Sequence, residues 1–350
     1  MLKATFKRHI LEFKLPAGTS RGVLKTKETW WLLLQFEHRT GIGECGMLRG
    51  LSIDDRPDYE ARLKWVCDHI HLGLDALYGA LVEFPSIQIG LEMAFLSLEA
   101  DDPFQLFPSP FSNGAANIPI NGLVWMGDKE FMNRQISEKI KAGFGCIKMK
   151  IGAIDFETEL SLLRSIRSEF SPRDIELRVD ANGAFTSKEA LEKLKQLSEL
   201  QLHSIEQPIS KGQWEAMAHL CEESPLAIAL DEELIGTFYS EEKIKLMKTI
   251  KPQYIILKPS FVGGFRGSDN WISIAESQGV DWWITSALES NVGLNAISQY
   301  TFTKNSKLPQ GLGTGSLYTN NVESPLRVRN GSIHYDTNVP WNMEMLNAKQ

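Results

Sequence analysis

At Cys146-Ile147-Lys148-Met149-Lys150 the sequence sets two lysines on alternate positions of a short apolar run. Because side chains alternate between the two faces of a β-strand, both lysines are predicted to lie on one face. Four later strand candidates also end in a charged residue, namely Asp180, Glu206, Asp231 and Lys258. Subtraction from residue 150 through 180, 206, 231 and 258 gives spacings of 30, 26, 25 and 27 residues. Each spacing is about the length of one strand with its crossover helix.

The region after residue 117 alternates between strand and helix patterns. Its eight short apolar strand candidates are Ile118–Val124, Cys146–Ile151, Glu176–Val179, Ser204–Glu206, Ala227–Leu230, Tyr254–Leu257, Asp281–Thr285 and Gln310–Gly313. Helical patterns, such as Asp155–Glu169 and Gly267–Gln278, lie between most of them. This order predicts an α/β fold, a (β/α)8-type TIM barrel whose C-terminal rim holds all five charged side chains. A doubly wound sheet is the alternative fold, but the sequence has no GxGxxG or GxxxxGK[ST] phosphate loop.

The first hundred residues have a different pattern. Extended stretches at Ala4–Leu15 and Glu28–Glu37 are followed by a predicted turn at Gly41-Ile42-Gly43-Glu44. Helical patterns then cover Asp58–Ala80 and Ser86–Glu99. Strands followed by helices predict a separate α+β domain.

These patterns predict two domains in the chain of 350 residues. The α+β domain is placed at residues 1–105 and the barrel at residues 106–321, because prolines cluster near residue 105. The tail, residues 322–350, has no further strand–helix repeat. It is predicted to pack back on the N-terminal domain.

Charge and composition exclude several classes of partner. The formal net charge is −7, and no cluster of lysine and arginine suggests a nucleic-acid surface. Lys243, Lys245, Lys248 and Lys251 are interleaved with apolar residues, as expected on one solvated helix. No apolar run approaches the roughly 20 residues that span a bilayer, so no membrane partner is predicted. The N-terminus has no apolar signal core, and the four cysteines show no CxxC spacing. A cytoplasmic protein with free thiols is therefore expected, and its oligomeric state is left open.

Three carboxylates on one rim would repel one another unless a hard divalent cation neutralised them. Ligation by oxygen alone favours Mg²⁺ over Zn²⁺, which prefers histidine and cysteine. A substrate carboxylate bound to such a cation has an acidified α C–H bond, because the enediolate formed on deprotonation is stabilised by the positive charge. Lys150 and Lys258 come from opposite sides of the predicted barrel. A small-molecule carboxylate is therefore expected to lie between two amines.

These motifs together resemble those of the enolase superfamily, in its muconate-lactonizing subgroup. The resemblance runs over nearly the whole chain, and it is carried by Lys148-Met149-Lys150, Val179-Asp180-Ala181-Asn182, Glu206-Gln207-Pro208, Asp231-Glu232 and Lys258-Pro259. It implies the modified (β/α)7β barrel with an N-terminal capping domain. It further implies Mg²⁺ held by Asp180, Glu206 and Asp231, with Mn²⁺ as a substitute. Lys150 and Lys258 would be the acid/base lysines, and Lys148 would modulate Lys150.

Two regions bear on the substrate within this subgroup. The segment Thr285–Gly293 is similar to the seventh-strand segment of the o-succinylbenzoate synthases. The last strand, Gly311–Gly315, lacks the Asp-x-Asp with which dipeptide epimerases hold a substrate ammonium. The resemblance therefore implies a lyase of menaquinone biosynthesis that dehydrates a succinyl-substituted hydroxycyclohexadiene carboxylate to o-succinylbenzoate. A dipeptide epimerase, an N-acylamino acid racemase, a cycloisomerase and a non-catalytic metal-binding barrel are the alternatives.

The resemblance also implies a division of labour between the two lysines. Lys150 would remove the α proton and then assist departure of the hydroxyl from the same face. Lys258 would stay protonated and stabilise the anion from the other face.

Further residues are candidates for substrate contact. The loop Gly18–Gly22 resembles a mobile capping loop in which Ser20 and Arg21 meet a substrate carboxylate; an ordinary hairpin with an exposed arginine is the other interpretation. Asn182 follows the second strand of the motif series. Ser286 and Glu289 are predicted either to contact substrate or to pack and cap the rim. The backbone N–H groups of Gly311 and Gly313 are expected to be free to bind a carboxylate.

Overall fold

The computed structural model describes residues 1–19, 22–342 and 344. Three antiparallel strands open the chain, in the order β1 (Lys3–Thr19), β2 (Gly22–Phe36) and β3 (Arg39–Cys45). Three helices follow, α1 (Tyr59–Asp68), α2 (Gly73–Gly79) and α3 (Pro85–Glu99). We call the three strands the N-terminal sheet.

The predicted turn at Gly41–Glu44 is wrong, because these residues lie inside β3 and the turn is at Glu37 and His38. Their glycines serve close packing. A β-carbon on Gly43 would lie 1.9 Å from the carbonyl oxygen of Gly90, and one on Gly41 would lie 2.1 Å from that of Ala94. Strand β3 therefore contacts α3 at backbone distance, which only glycine permits.

The helical pattern over Asp58–Ala80 is divided in the structure. Helix α1 ends at Asp68, a short 3₁₀ turn covers Ile70–Leu72, and α2 begins at Gly73. Gly73 has a positive φ of 77°, which a helix cannot continue through. A pattern of apolar spacing alone did not reveal this break.

Seven parallel strands form the second sheet, in the spatial order β11-β10-β9-β8-β7-β6-β5. They are β5 (Gly122–Val124), β6 (Cys146–Lys150), β7 (Glu176–Asp180), β8 (Ser204–Glu206), β9 (Ile228–Leu230), β10 (Tyr254–Leu257) and β11 (Asp281–Ile284). The helices between them and after β11 are α4 (Lys129–Lys141), α5 (Phe156–Glu169), α6 (Ala190–Ser198), α7 (Trp214–Glu223), α8 (Ser240–Ile250), α9 (Pro259–Val262), α10 (Gly264–Ser277) and α11 (Asn291–Thr303).

One short segment joins the two edges of this sheet. The Gln310 N–H donates to the Pro119 carbonyl at 2.9 Å, and the Gln310 carbonyl accepts from the Asn121 N–H at 2.9 Å. On the other edge, the Gly311 N–H donates to the Ile284 carbonyl at 2.8 Å. The predicted strand Gln310–Gly313 is therefore reduced to isolated bridges, but it lies where the eighth strand was expected.

Alternation along the strands separates the core from the charged face. Ile147 and Met149 of β6 are fully buried in the large hydrophobic cluster that includes residues of the flanking helices. Lys148 and Lys150 point to the opposite face, as a two-residue period requires. Each fully buried aliphatic side chain contributes roughly 1.5–3 kcal/mol, which fixes the register and therefore the direction of both lysines.

Two buried glutamates connect the N-terminal part to helices of the parallel-sheet part. Glu44 of β3 accepts hydrogen bonds from the N–H groups of Ser290 and Gly293, both at 2.8 Å, at the start of α11. Glu92 of α3 accepts from the Phe265 N–H at 2.6 Å at the start of α10. Helix N-termini carry unpaired N–H groups and a partial positive charge, so both carboxylates cap a helix across the contact.

The end of the chain returns to earlier parts of the molecule. Strands β12 (Leu326–Arg329) and β13 (Ser332–Tyr335) form a three-stranded antiparallel sheet with β4 (Asn117–Pro119). Trp341 stacks on Phe104, with 3.9 Å between ring centroids and 8° between planes. Much of the tail after residue 321 is thus held by strand pairing and aromatic stacking.

The structure also bears on the predictions for membrane helices, for the cysteines and for the lysine-rich helix. No helix in the described ranges has both the length and the apolar character to cross a membrane. Cys45, Cys67, Cys146 and Cys221 are all free thiols. The prediction of one solvated lysine helix is wrong for Lys243, which is only 2% exposed because its amine lies 5.1 Å from the centre of the Trp271 ring.

Candidate active site

Three carboxylates lie side by side at the carboxyl ends of adjacent strands. Asp180 ends β7 and Glu206 ends β8, and the two are paired in the sheet register. Asp231 follows β9 directly. All three are at most 2% exposed. The parallel register therefore brings together side chains that are 51 residues apart in sequence, from 180 to 231.

Three lysines contact this row. The Lys148 amine lies 3.1 Å from Asp180 Oδ2 and donates to Glu206. Lys150, on β6, donates to Asp180 Oδ2 at 2.9 Å. Lys258, at the end of β10, donates to Asp231. Lys150 and Lys258 thus reach the row from its two ends, as their positions on β6 and β10 predict.

The row and its lysines shift one another's pKa values. Burial alone would raise the pKa of Asp180, but Lys148, Lys150 and Lys258 hold it far below its usual range. Burial, with repulsion from Asp180, raises the pKa of Glu206 to about 8. Burial would lower the pKa of Lys258, but Asp231 and Glu206 together raise it. Positive charge is therefore strongly stabilised in this site.

The donor set of the row fits a hard divalent cation. All of its donors are oxygens, and Glu206 Oε1 is buried without a hydrogen-bond partner among the described residues. Within the described residues, no three acidic, histidine or cysteine side chains surround one point as ligands would. The amines of Lys148 and Lys258 occupy positions against the carboxylates instead. Each amine is carried on a flexible four-carbon side chain. Both amines can therefore move away and leave the carboxylate oxygens to bind a divalent cation.

A cavity of about 380 Å³ opens beside the row. This volume suits a small ligand. Its charged end is formed by Lys148, Lys150, Asp180 and Lys258. The remaining wall is mostly apolar, with side chains from the N-terminal part and from the strand ends: Leu24, Leu48, Leu51, Leu123, Trp125, Phe261, Leu288 and Leu317. The cavity therefore offers a charged site for a carboxylate and an apolar surface for a ring or chain.

Comparison with known proteins identifies the family. Residues 132–340 match the family model described as "Enolase C-terminal domain-like". This chain belongs to the enolase superfamily. It is 45% identical to the o-succinylbenzoate synthase of Desulfotalea psychrophila, over 95% of this chain and 98% of that protein.

Solved structures of the superfamily have the same architecture. The crystal structure of MenC from Desulfotalea psychrophila superposes with a TM-score of 0.85 and 41% identity, covering 95% of this chain and 99% of that one. The dipeptide epimerase of Enterococcus faecalis, complexed with Mg and the dipeptide L-Leu-L-Tyr, superposes with a TM-score of 0.82. At 19% identity, over 95% of this chain and 96% of that one, this second likeness shows the shared fold.

The other candidate residues of this superfamily member are placed as follows. Asn182 lines the cavity, accepts from the Lys150 amine at 2.7 Å and donates to Glu232 at 2.9 Å. Ser286 lines the cavity. Gly313 also lines it, and a β-carbon there would lie 3.3 Å from Ile120 Cδ1 and 3.8 Å from the Asn121 carbonyl oxygen. Ser20 and Arg21 lie outside the described residues.

For Glu289 the structure supports the second of its two interpretations, packing behind the rim, and the prediction of a free N–H at Gly311 is wrong. Glu289 is 0% exposed and is not part of the cavity wall, because its carboxylate turns inward to bind neighbouring donors. Gly311 lines the cavity, but its N–H is used by the Ile284 carbonyl at 2.8 Å. The N–H of a residue that pairs with a sheet edge donates to the neighbouring strand, so this group is not free to bind a carboxylate.

Several residues of the site were not predicted from the sequence. Thr314 and Leu123 line the cavity, and Glu232 pairs with Asn182. Glu232 stands next to Asp231 in the motif series, so its position carried a usable signal. Leu24 and Leu48 come from the N-terminal part, and no sequence pattern connects them to strands about 100 residues later.

Proposed function

We propose that this chain is an o-succinylbenzoate synthase, which removes water from a succinyl-substituted hydroxycyclohexadiene carboxylate in menaquinone biosynthesis. The observation that carries the proposal is the likeness to the Desulfotalea psychrophila synthase over almost the full length of both chains. The site supports the same reaction, because two amines flank a row of carboxylates at one end of a mostly apolar cavity.

Asp180, Glu206 and Asp231 would hold the Mg²⁺ ion of this enzyme, with Mn²⁺ as a substitute. A cation bound there supplies positive charge beside the substrate carboxylate and so favours negative charge on it. The support for this assignment is the oxygen-only donor set and the buried Glu206 Oε1, which accepts no hydrogen bond from the described residues.

Lys150 is the base in this proposal. Its amine is held by Asp180 and Asn182 at the edge of the cavity, where it would take the proton from the carbon next to the substrate carboxylate. The neighbouring C–O bond then breaks, and the hydroxyl takes up the proton from Lys150 and leaves as water. The ring gains a double bond and becomes aromatic, so the reaction is strongly favoured.

Lys258 acts as a fixed cation in this mechanism. Its amine is buried against Asp231, and Asp231 and Glu206 hold its pKa above the ordinary lysine value despite burial. A protonated amine on the far side of the cavity stabilises negative charge on the substrate. Lys148 pairs with Asp180 and Glu206, and its amine adds a positive charge close to Lys150.

We further infer the arrangement that surrounds this site. The seven-stranded sheet is interpreted as a modified (β/α)7β barrel that the segment at Gln310 and Gly311 completes. Residues 1–105 would form the capping domain, residues 106–321 the barrel, and the tail after residue 321 would pack on the capping domain. The cluster of Val322 with Trp31 and Ile42 supports the packing of the start of the tail on the capping domain. Strand β13 of the tail pairs instead with β4, in the proposed barrel range. A cytoplasmic location remains a prediction of the sequence.

An absorbance assay for the aromatic product tests the function. The purified chain with Mg²⁺ is mixed with the hydroxycyclohexadiene carboxylate, and formation of o-succinylbenzoate is followed. A parallel panel contains dipeptides, N-acylamino acids and muconate. We expect efficient dehydration. Turnover of a panel member with no dehydration would instead assign an epimerase, a racemase or a cycloisomerase, and Mg²⁺ binding without any turnover would indicate a non-catalytic barrel.

A further inference from the structure

A buried polar cluster lies behind the wall of the cavity. Its centre is Glu289, which is 0% exposed. Glu289 Oε2 accepts from the Ser286 hydroxyl at 2.6 Å and from the Ala287 N–H at 2.7 Å. Glu289 Oε1 accepts from the Ser260 hydroxyl at 2.5 Å. One carboxylate therefore ties the turn after β11 to the helix after β10.

Both of these segments carry groups of the proposed active site. Ser260 lies two residues after Lys258, in the short helix α9, and Lys258 is the N-cap residue of that helix. Ser286 lines the cavity and accepts from the Thr314 hydroxyl at 2.8 Å, and Thr314 lines the cavity as well. A shift of Glu289 would therefore be transmitted to the position of Lys258 and to the hydroxyl groups of the wall.

The N-terminal sheet places a lysine beside this cluster. Lys27 shares a strand face with Thr29, whose hydroxyl donates to Glu44 at 2.7 Å, and Glu44 accepts from the N–H of Ser290, the residue after Glu289, at 2.8 Å. Lys27 of β2 is 3% exposed, and its amine has no hydrogen-bond partner among the described residues. Burial lowers the pKa of Lys27, and the charges of Glu44 and Glu289 oppose that change. Burial likewise raises the pKa of Glu289, and Lys27 opposes it.

An unpaired charge in such a place is strongly disfavoured. Because its amine makes no hydrogen bond with the described residues, Lys27 acts on Glu44 and Glu289 through its charge. The titratable groups that act on Glu289 or respond to it are Lys27, Glu44 and Tyr318. Lys27 is the only cation among these three.

We propose that Glu289, with Lys27 as its counter-charge from the N-terminal sheet, is a positioning residue for Lys258 and Ser286. The proposal rests on the function proposed above. Both residues act through others, since neither lines the cavity. Removing the Lys27 charge would raise the pKa of Glu289 further and so favour its protonated form, because Lys27 opposes the effect of burial. Its carboxyl could then no longer accept from all three donors, and the two segments would lose their common anchor.

The test compares Lys27→Met, Glu289→Gln, the double variant and Lys27→Arg. The matched control is Glu92→Gln, another buried glutamate between the N-terminal part and the parallel-sheet part, which does not line the cavity. We expect kcat to fall about 10- to 100-fold in Lys27→Met and in Glu289→Gln, roughly the effect of misplacing a group by an ångström, with KM changed less. The control should stay within about threefold of the unaltered protein, since Glu92 hydrogen-bonds Phe265 and Arg266, neither of which lines the cavity.

A pH profile separates positioning from a merely structural role. In Lys27→Met, kcat should rise with pH as Glu289 loses its proton, and this step should be missing in the double variant and in Lys27→Arg. A profile of Lys27→Met that parallels that of the unaltered protein would overturn the proposal. So would an equal loss of kcat in Glu92→Gln.

Thermal unfolding tests the pair independently of the reaction. The lowering of Tm in the double variant should be clearly smaller than the sum of the two single effects, because removing one charge already removes the benefit of the other. Additive changes in Tm would contradict the pairing. An unaltered protein that folds but does not dehydrate the substrate would contradict the proposed function alone, and the unfolding result would still decide the pairing.

Discussion

The two candidate acid/base lysines differ in their surroundings. Lys258 donates to Asp231 and lies 3.9 Å from Glu206, so two carboxylates favour its charged form. Lys150 donates to Asp180 and also to the neutral amide of Asn182. A lysine held as a cation suits charge stabilisation, and the other amine is left for proton transfer.

Arginine substitutions separate these two roles. Lys258→Arg keeps the charge, so we expect kcat for dehydration to fall only about 10- to 100-fold, which corresponds to about 1.4–2.8 kcal/mol. Lys150→Arg cannot lose its proton, so dehydration should fall by about 10⁴-fold. Any racemisation of N-acylamino acids, which needs a base on each face, should be lost in both variants. Equal and complete loss of dehydration in both variants would show that Lys258 is not a spectator cation.

Removal of one carboxylate tests the metal assignment. Asp231→Asn takes a charge from the row, and we expect the Kd for Mg²⁺, measured by calorimetry, to rise by roughly 100-fold, or about 2.8 kcal/mol. The control is Asp174→Asn. Asp174 is an exposed carboxylate that accepts hydrogen bonds from the N–H and the hydroxyl of Ser171. Similar Mg²⁺ affinities for the two variants would remove Asp231 from the ligand set.

For single residues, the sequence predicted which strands end in a charged side chain better than it predicted where each side chain points. Lys150, Asp180, Glu206, Asp231 and Lys258 each end a strand, so a regular spacing in sequence became a shared edge in space. Glu289 also follows a strand, but its carboxylate points inward. Whether a side chain after a strand turns toward the cavity depends on the donors behind it, and these come from distant segments.

Glycines in strand β3 illustrate the same limit for whole elements. Gly41 and Gly43 occur in a spacing typical of a turn, yet both lie in a strand against α3. A sequence pattern does not distinguish a glycine that bends the chain from one that admits a neighbouring backbone. By contrast, the five predicted strands from Cys146 to Leu257 were recovered within about two residues, because apolar runs with flanking helices leave little choice.

The contact of α3 with α10 should depend on pH. Burial raises the pKa of Glu92 to about 7 from an ordinary value of 4.5. Protonated Glu92 therefore adds stability that is complete below about pH 4.5 and is lost as the pH rises through 7. Relative to Glu92→Gln, the unaltered protein should lose up to about 3 kcal/mol of unfolding free energy over that range.

Denaturant unfolding at several pH values measures this difference. Glu83→Gln provides the control, because the Glu83 side chain is 66% exposed and pairs at the surface with Arg56 alone among the described residues. Its difference from the unaltered protein should stay constant with pH. A constant difference for Glu92→Gln as well would mean that Glu92 titrates normally in the folded protein.

For the molecule as a whole, the alternation of strands and helices predicted the parallel sheet and its order. The detailed structure of the tail could not be predicted, because β12 and β13 are short and β13 pairs with β4, a strand of three residues. The last barrel strand was similarly hard to define, since Gln310 and Gly311 make only isolated bridges. Such short elements are stabilised by their neighbours rather than by their own pattern.

The stacking of Trp341 on Phe104 tests how much the tail supports the rest of the molecule. We expect Trp341→Ala to lower Tm by roughly 2–4 °C, since an aromatic pair contributes about 1 kcal/mol beyond its burial. Trp341→Phe keeps a ring and should recover about half of that loss. A Tm unchanged in both variants would indicate that this part of the tail adds nothing to stability.

The capping of α10 by Glu92 and of α11 by Glu44 has a consequence for protein engineering. Exchanging the first hundred residues for those of another superfamily member would remove both carboxylates unless the donor supplies acids at the same two places. The N–H groups of Phe265, Ser290 and Gly293 would then lose their acceptors inside the junction. A stably folded chimaera should thus require these two acidic positions to be transferred with the transplanted segment, whatever its sequence elsewhere.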